Sequence, residues 1–122
     1  MANSFSVGRS QDGGISILCL DGYLDAHTAP QFENVIQEEY DAGRCRIVVD
    51  CTRLTYISSA GLGVFMSFVE DVRQAGGDIK ICGMQPTVYE VFEILGFPEI
   101  FDILPGQAEA IRKFSESGAR GA

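Results

Sequence analysis

Arg46-Ile47-Val48-Val49-Asp50-Cys51-Thr52-Arg53-Leu54-Thr55-Tyr56-Ile57-Ser58-Ser59-Ala60-Gly61-Leu62-Gly63 is the stretch on which the fold turns. Residues 46–51 form a short β-branched run bounded by turn residues, which reads as a central strand. Leu54 to Ile57 is again strand-like. Ser58 to Gly63 then leads into a helix, because Leu62, Phe65, Met66, Val69 and Val72 recur at helical spacing. Gly76-Gly77 ends that stripe.

Working outward, Ile79 to Cys82 reads as the next strand. Pro86 starts a helix carrying Val88, Val91, Phe92 and Leu95, closed by Gly96. Phe97 to Leu104 has room for an edge strand. Pro105-Gly106 turns the chain into a last helix around Ala108, Ile111 and Phe114. Upstream, Phe5-Ser6-Val7 and Ile15 to Leu20 alternate or run apolar on either side of Asp12-Gly13-Gly14, a hairpin signal. Asp21-Gly22 is expected to end the second strand. Thr28 reads as an N-cap with Pro30 in the first turn, ahead of Phe32, Val35, Ile36 and Tyr40, with Gly43 as the stop. The order is β-β-α-β-α-β-α-(β)-α. It predicts an α/β single domain over 1–122 with a mixed sheet of four to five strands and about four helices packed against it. Two parallel crossovers are expected, through the helices near Ala60 and Pro86. The core is expected over about 5–114, with 115–122 a flexible tail.

Composition narrows the function. The formal net charge is −8 and no basic run exists, which disfavours nucleic acid and favours a basic partner surface. The four cysteines, Cys19, Cys45, Cys51 and Cys82, form no C-x-x-C pair, and His27 is the single histidine. A zinc site has little support, and reduced buried thiols are expected. The N-terminus has no apolar segment of the signal-peptide kind, and no run approaches bilayer length, so a cytoplasmic chain without membrane contact is expected.

Local pattern leaves three roles open for a serine between Ile57 and Gly61. It can cap the helix, contributing about 1 kcal/mol. It can be a nucleophile on a strand-to-helix turn, although the first glycine of G-x-S-x-G is missing and no base is identified. It can accept a phosphate, whose roughly −1.5 to −2 charges a helix N-terminus tolerates and a docked partner would not. Gly61-Leu62-Gly63 lacks a following G-K-[ST], which excludes a Walker loop.

At these residues the chain resembles the STAS family, and most closely its anti-sigma factor antagonist branch. The resemblance spans Phe5 to Phe114 and has three anchors. Gly22-Tyr23-Leu24-Asp25-Ala26-His27-Thr28 is similar to the G-x-L-D-x-x-T segment, residues 47–63 to the central strand with its D-S-[ST]-G-L-G turn, and Gly76-Gly77-Asp78-Ile79 to the entry of the next strand. The resemblance implies that Ser59 is the phosphoacceptor, with Ser58 a second candidate. Ser58 stands where the family has Asp, and Ala60 where Ser or Thr is frequent. Asp25 matches an Asp of the neighbouring loop, and Asp25 with Ser58, Ser59, Ala60, Gly61, Leu62 and Gly63 is the implied partner-binding surface.

The implied mechanism is a switch without catalysis or cofactor. The unmodified protein binds an anti-sigma factor that is also a serine kinase of the histidine-kinase-like ATPase fold, and a sigma factor is released. Phosphorylation breaks the complex, and a PP2C-type phosphatase resets it. A STAS partner-switching or scaffold subunit acting on a non-sigma target (secretion, a cyclase or lipid transport) would use the same turn.

Overall fold

The computed structural model describes residues 4–121, with side chains through Ser115. Strand β1 (Phe5–Asp12) and β2 (Ile15–Leu24) form the expected hairpin. They are followed by α1 (Ala29–Asp41), β3 (Arg46–Ile57), α2 (Ser59–Gln74), β4 (Asp78–Cys82) and α3 (Pro86–Ile94). A 3-10 turn (Phe97–Glu99), the two-residue β5 (Ile103–Leu104) and α4 (Gln107–Gly121) complete the chain. Except for Ser115 and the helical backbone through Gly121, the expected tail at 115–122 lies outside the described residues.

The sheet order is β1-β2-β3-β4-β5, with β1 antiparallel and the other pairs parallel. Each parallel strand is laid beside its predecessor in one direction. Right-handed connections taken in one direction place their helices on one face, and α1, α2 and α3 do share a face. Phe32 and Ile36 of α1, Phe65 and Val69 of α2, and Val88 and Phe92 of α3 join Leu18, Leu20, Ile47, Val49, Ile79 and Ile81 of the sheet in one core. The opposite face carries Ile15, Ile17, Val48 and Cys82, closed by Ala110 and Phe114 of α4.

Three expectations change. Strand β2 continues past Asp21-Gly22 to Leu24, through two irregularities in its register with β3. Gly22 makes this passage: its φ is 106°, and a Cβ there would lie 2.1 Å from the Ser4 carbonyl oxygen. Strand β3 does not stop at Cys51 but runs to Ile57, and an extra β3 residue opposite β2 within 50–53 and another within 54–56 let Cys51, Leu54 and Ile57 all join the core. The parallel crossovers number three, because α1 also links two parallel strands.

A buried carboxylate ties β1 and β2 to α1. Glu39, with a side chain only 4% exposed, accepts from Ser16 Oγ at 2.5 Å, from Arg44 Nε at 2.8 Å and from Arg9. Burial pushes its pKa up, but these donors outweigh burial and bring it to about 2. A depressed folded-state pKa means that the stabilisation is complete above the unfolded value near 4.5 and is lost as pH falls towards 2. Acid titrations followed by circular dichroism should therefore show stability falling between about pH 4.5 and 2. Glu39→Gln should flatten that limb while lowering stability at neutral pH by about 1–3 kcal/mol.

Candidate functional site

The site is built where β2 and β3 end side by side. The Ser58 N–H donates to the Leu24 carbonyl at 2.9 Å, holding the β3–α2 turn against the loop that begins at Asp25. Leu24 and Ile57 both point into the core, so the two loops leave the sheet from a fixed floor.

The loop at 25–28 is a closed turn. Asp25 Oδ1 accepts from the His27 N–H at 2.9 Å and the Thr28 N–H at 3.2 Å. Thr28 does not cap α1 with its side chain, contrary to expectation. Its hydroxyl donates to the Tyr23 carbonyl at 2.7 Å and accepts from the Asp25 N–H at 2.9 Å. Its hydroxyl is taken up within the loop, and the Gln31 N–H that a Thr28 side-chain cap would accept donates instead to the Thr28 carbonyl at 3.0 Å. Desolvation acts to raise the Asp25 pKa, and the His27 and Thr28 donors more than offset it, leaving the carboxyl below the usual range. Asp25 is thus a fixed negative charge in the loop beside the turn. Among the described hydrogen bonds its carboxylate reaches neither Ser58 nor Ser59.

Ser58 occupies the N-cap position of α2 in extended backbone, with φ −104° and ψ 174°. Its carbonyl accepts the first helical bond, from Leu62 N–H at 3.1 Å. Its hydroxyl makes no cap bond, however, and is a buried oxygen without a partner. Neither serine therefore acts as the expected side-chain cap. The first N–H groups of α2 stay free of side-chain caps, and the helix dipole adds to their positive field. Ser59, the first residue of α2, is exposed within that field. Among the described residues no histidine, lysine or carboxylate hydrogen-bonds to its side chain.

The two glycines that follow have different causes. Gly61 is buried, and a Cβ would stand 2.7 Å from Leu24 Cγ and 3.0 Å from Ile57 Cγ1. It lets α2 sit down on the ends of β2 and β3. Gly63 is exposed, and a Cβ there would meet nothing within 4 Å. Leu62 is buried in the core, and Ala60 is half-buried against it. Of the predicted surface, Ser59 and Gly63 are therefore open, Asp25, Ser58 and Ala60 are partly so, and Gly61 and Leu62 serve the fold. Gly61→Ala should cost about 1–3 kcal/mol from overpacking. Gly63→Ala should instead stabilise the free protein by about 0.5–1 kcal/mol. Urea melts of the two variants check both signs.

A family model described as the STAS domain matches residues 9–110. The chain belongs to the STAS family. A curated relative in Bordetella bronchiseptica, named "Putative anti-sigma factor antagonist BtrV", is 40% identical over 101 residues, covering 83% of this chain and 87% of its own. Among solved structures, an anti-sigma factor antagonist from Mycobacterium paratuberculosis superposes with a TM-score of 0.85 at 20% identity, covering 92% of this chain and 95% of that one. The anti-sigma factor antagonist SpoIIAA in its unphosphorylated form gives a TM-score of 0.77 at 22% identity, covering 96% and 98%. These likenesses show that the STAS fold is shared throughout, with the five-stranded mixed sheet and four helices described above.

Sequence reasoning missed a pair beside the site. Tyr23 and Tyr56 are partners across β2 and β3 and stack with ring centroids 5.4 Å apart. The signal was present as two tyrosines placed two residues before Asp25 and before Ser58, but their pairing depends on the register shift at Gly22. Among the described residues, no group of three or more ligating side chains is arranged to hold a metal, and no helix is long and apolar enough to cross a membrane.

Proposed function

We propose that this STAS protein is an anti-sigma factor antagonist switched off by phosphorylation of Ser59. In its unmodified form it binds an anti-sigma factor that is also a serine kinase of the histidine-kinase-like ATPase fold, and binding frees a sigma factor. A PP2C-type phosphatase restores the free hydroxyl. The chain acts as ligand and substrate, with no catalysis of its own.

The observation that carries this assignment is the contrast between adjacent serines. Ser59 is exposed on the first turn of a 16-residue helix, whereas the Ser58 oxygen is buried. A kinase needs the acceptor oxygen in line with the nucleotide phosphate, which Ser59 offers without unfolding. The kinship with antagonists along most of the chain supports the partner class.

The test combines purified protein with the anti-sigma factor kinase of its own genome, ATP and magnesium. Intact mass and fragment mapping locate the phosphate. A single phosphate at Ser59, abolished in Ser59→Ala and retained in Ser58→Ala, is the expected result. Phosphate at Ser58 would move the acceptor by one residue. Neither binding nor phosphate, with a kinase active on another antagonist, would remove the assignment.

A further inference from the structure

We infer that the stacked tyrosines Tyr23 and Tyr56 form an aromatic anchor next to the switch turn, and that an arginine on a basic face of the kinase partner packs over them. This rests on the proposed function and extends its footprint from the turn onto the open face of the sheet.

The placement follows from the pleat. Leu24 and Ile57 point into the core under α1 and α2, so the preceding residues Tyr23 and the following-strand partner Tyr56 point to the opposite face. Among the described residues, α4 covers that face at Ile15, Ile17, Val48 and Cys82 and, through Gln107, at Cys19 and Asp50. The tyrosines are beyond it, 37% and 45% exposed. At about 3.3 Å per strand residue, Tyr56 lies within roughly 10 Å along the chain of Ser59. A partner covering Ser59 and the end of β3 meets the rings without a change in fold.

Charge selects the occupant. The chain carries a net charge of −8. Close to the rings, Asp25 is negative, and the exposed Arg53 is engaged by Asp21 at 2.8 Å. A cation approaching the stacked rings therefore meets an acidic chain whose nearby Arg53 is already paired, and the outer faces of the stack. Tyrosine and arginine are the residue types in which interface energy concentrates.

The experiment measures the affinity of the kinase that phosphorylates Ser59 for Tyr23→Ser, Tyr56→Ser, Tyr23→Phe and Tyr56→Phe. Melting temperatures of each variant separate loss of fold from loss of contact. The serine variants should bind about 10- to 100-fold more weakly, whereas the phenylalanine variants should stay within about threefold. Nitration by tetranitromethane gives a second readout on the unaltered chain. In the complex Tyr23 and Tyr56 should be protected, while Tyr40 and Tyr89 should react as they do in the free protein. Serine variants that bind like the parent, with unprotected tyrosines and Ser59 still phosphorylated, would overturn the anchor and leave the switch standing. Equal loss in the serine and phenylalanine variants would overturn the ring-face contact. A kinase that neither binds nor modifies the parent chain would bring down both.

Discussion

Phe65→Ala should be the most damaging single change in the core, costing about 3–5 kcal/mol. Phe65 is fully buried on α2 and meets three other rings edge-on: Phe32 at 5.2 Å, Phe92 at 5.6 Å and Phe101 at 6.0 Å between centroids. These rings come from α1, α3 and the segment before β5, so one side chain of α2 joins all three helices on that face of the sheet. Relaxation cannot fill the gap, since each neighbour is held by its own contacts, as Phe97 holds both Phe92 and Phe101. Against a total stability of about 5–15 kcal/mol for such a domain, the loss would leave a substantial unfolded fraction. Urea unfolding should show a lower midpoint with an unchanged slope. Ile94→Ala, at a side chain 81% exposed, is the matched control and should shift the midpoint little.

Phosphorylation of Ser59 should weaken kinase binding by about 100-fold or more, with little effect on the fold. The added charge is about −1.5 to −2. On the free protein it faces the uncapped N-terminus of α2, where the helix field favours an anion. In a complex the same dianion would be stripped of water under the partner that covers the turn. Repulsion and desolvation there amount to several kcal/mol. Calorimetric titration of the modified and unmodified forms measures the difference, and melting curves show whether the fold is spared. Equal affinities would mean that the turn lies outside the interface.

Much of this was legible in the residues themselves. The helical stripes through Phe32, Phe65 and Phe92 and the β-branched run at 46–51 specified the layers, because their periodicities follow from burial on one face. The serine turn was legible because a strand, a hydroxyl pair and a helix follow one another without a spacer. The parts that escaped depend on contacts between distant segments. Asp21-Gly22 reads as a strand end locally, yet the Ser4 backbone just before β1 and the partner strand β3 carry β2 through it. Thr28 reads as a cap, yet its hydroxyl is taken by the Tyr23 carbonyl and the Asp25 N–H across the loop. Which serine is accessible was also hidden: Ser58 lies just outside the helix in extended backbone with its hydroxyl buried, whereas Ser59 opens the helix and is exposed.

The sheet order has a consequence for how the molecule is made. Strands lie in the order in which they occur in the chain, so no strand must hold a place open for one not yet synthesised. As the polypeptide leaves the ribosome, each newly exposed strand finds its neighbour already present, and the preceding helix is ready to cover the seam. Only the back face waits, until α4 emerges after β5 to close it.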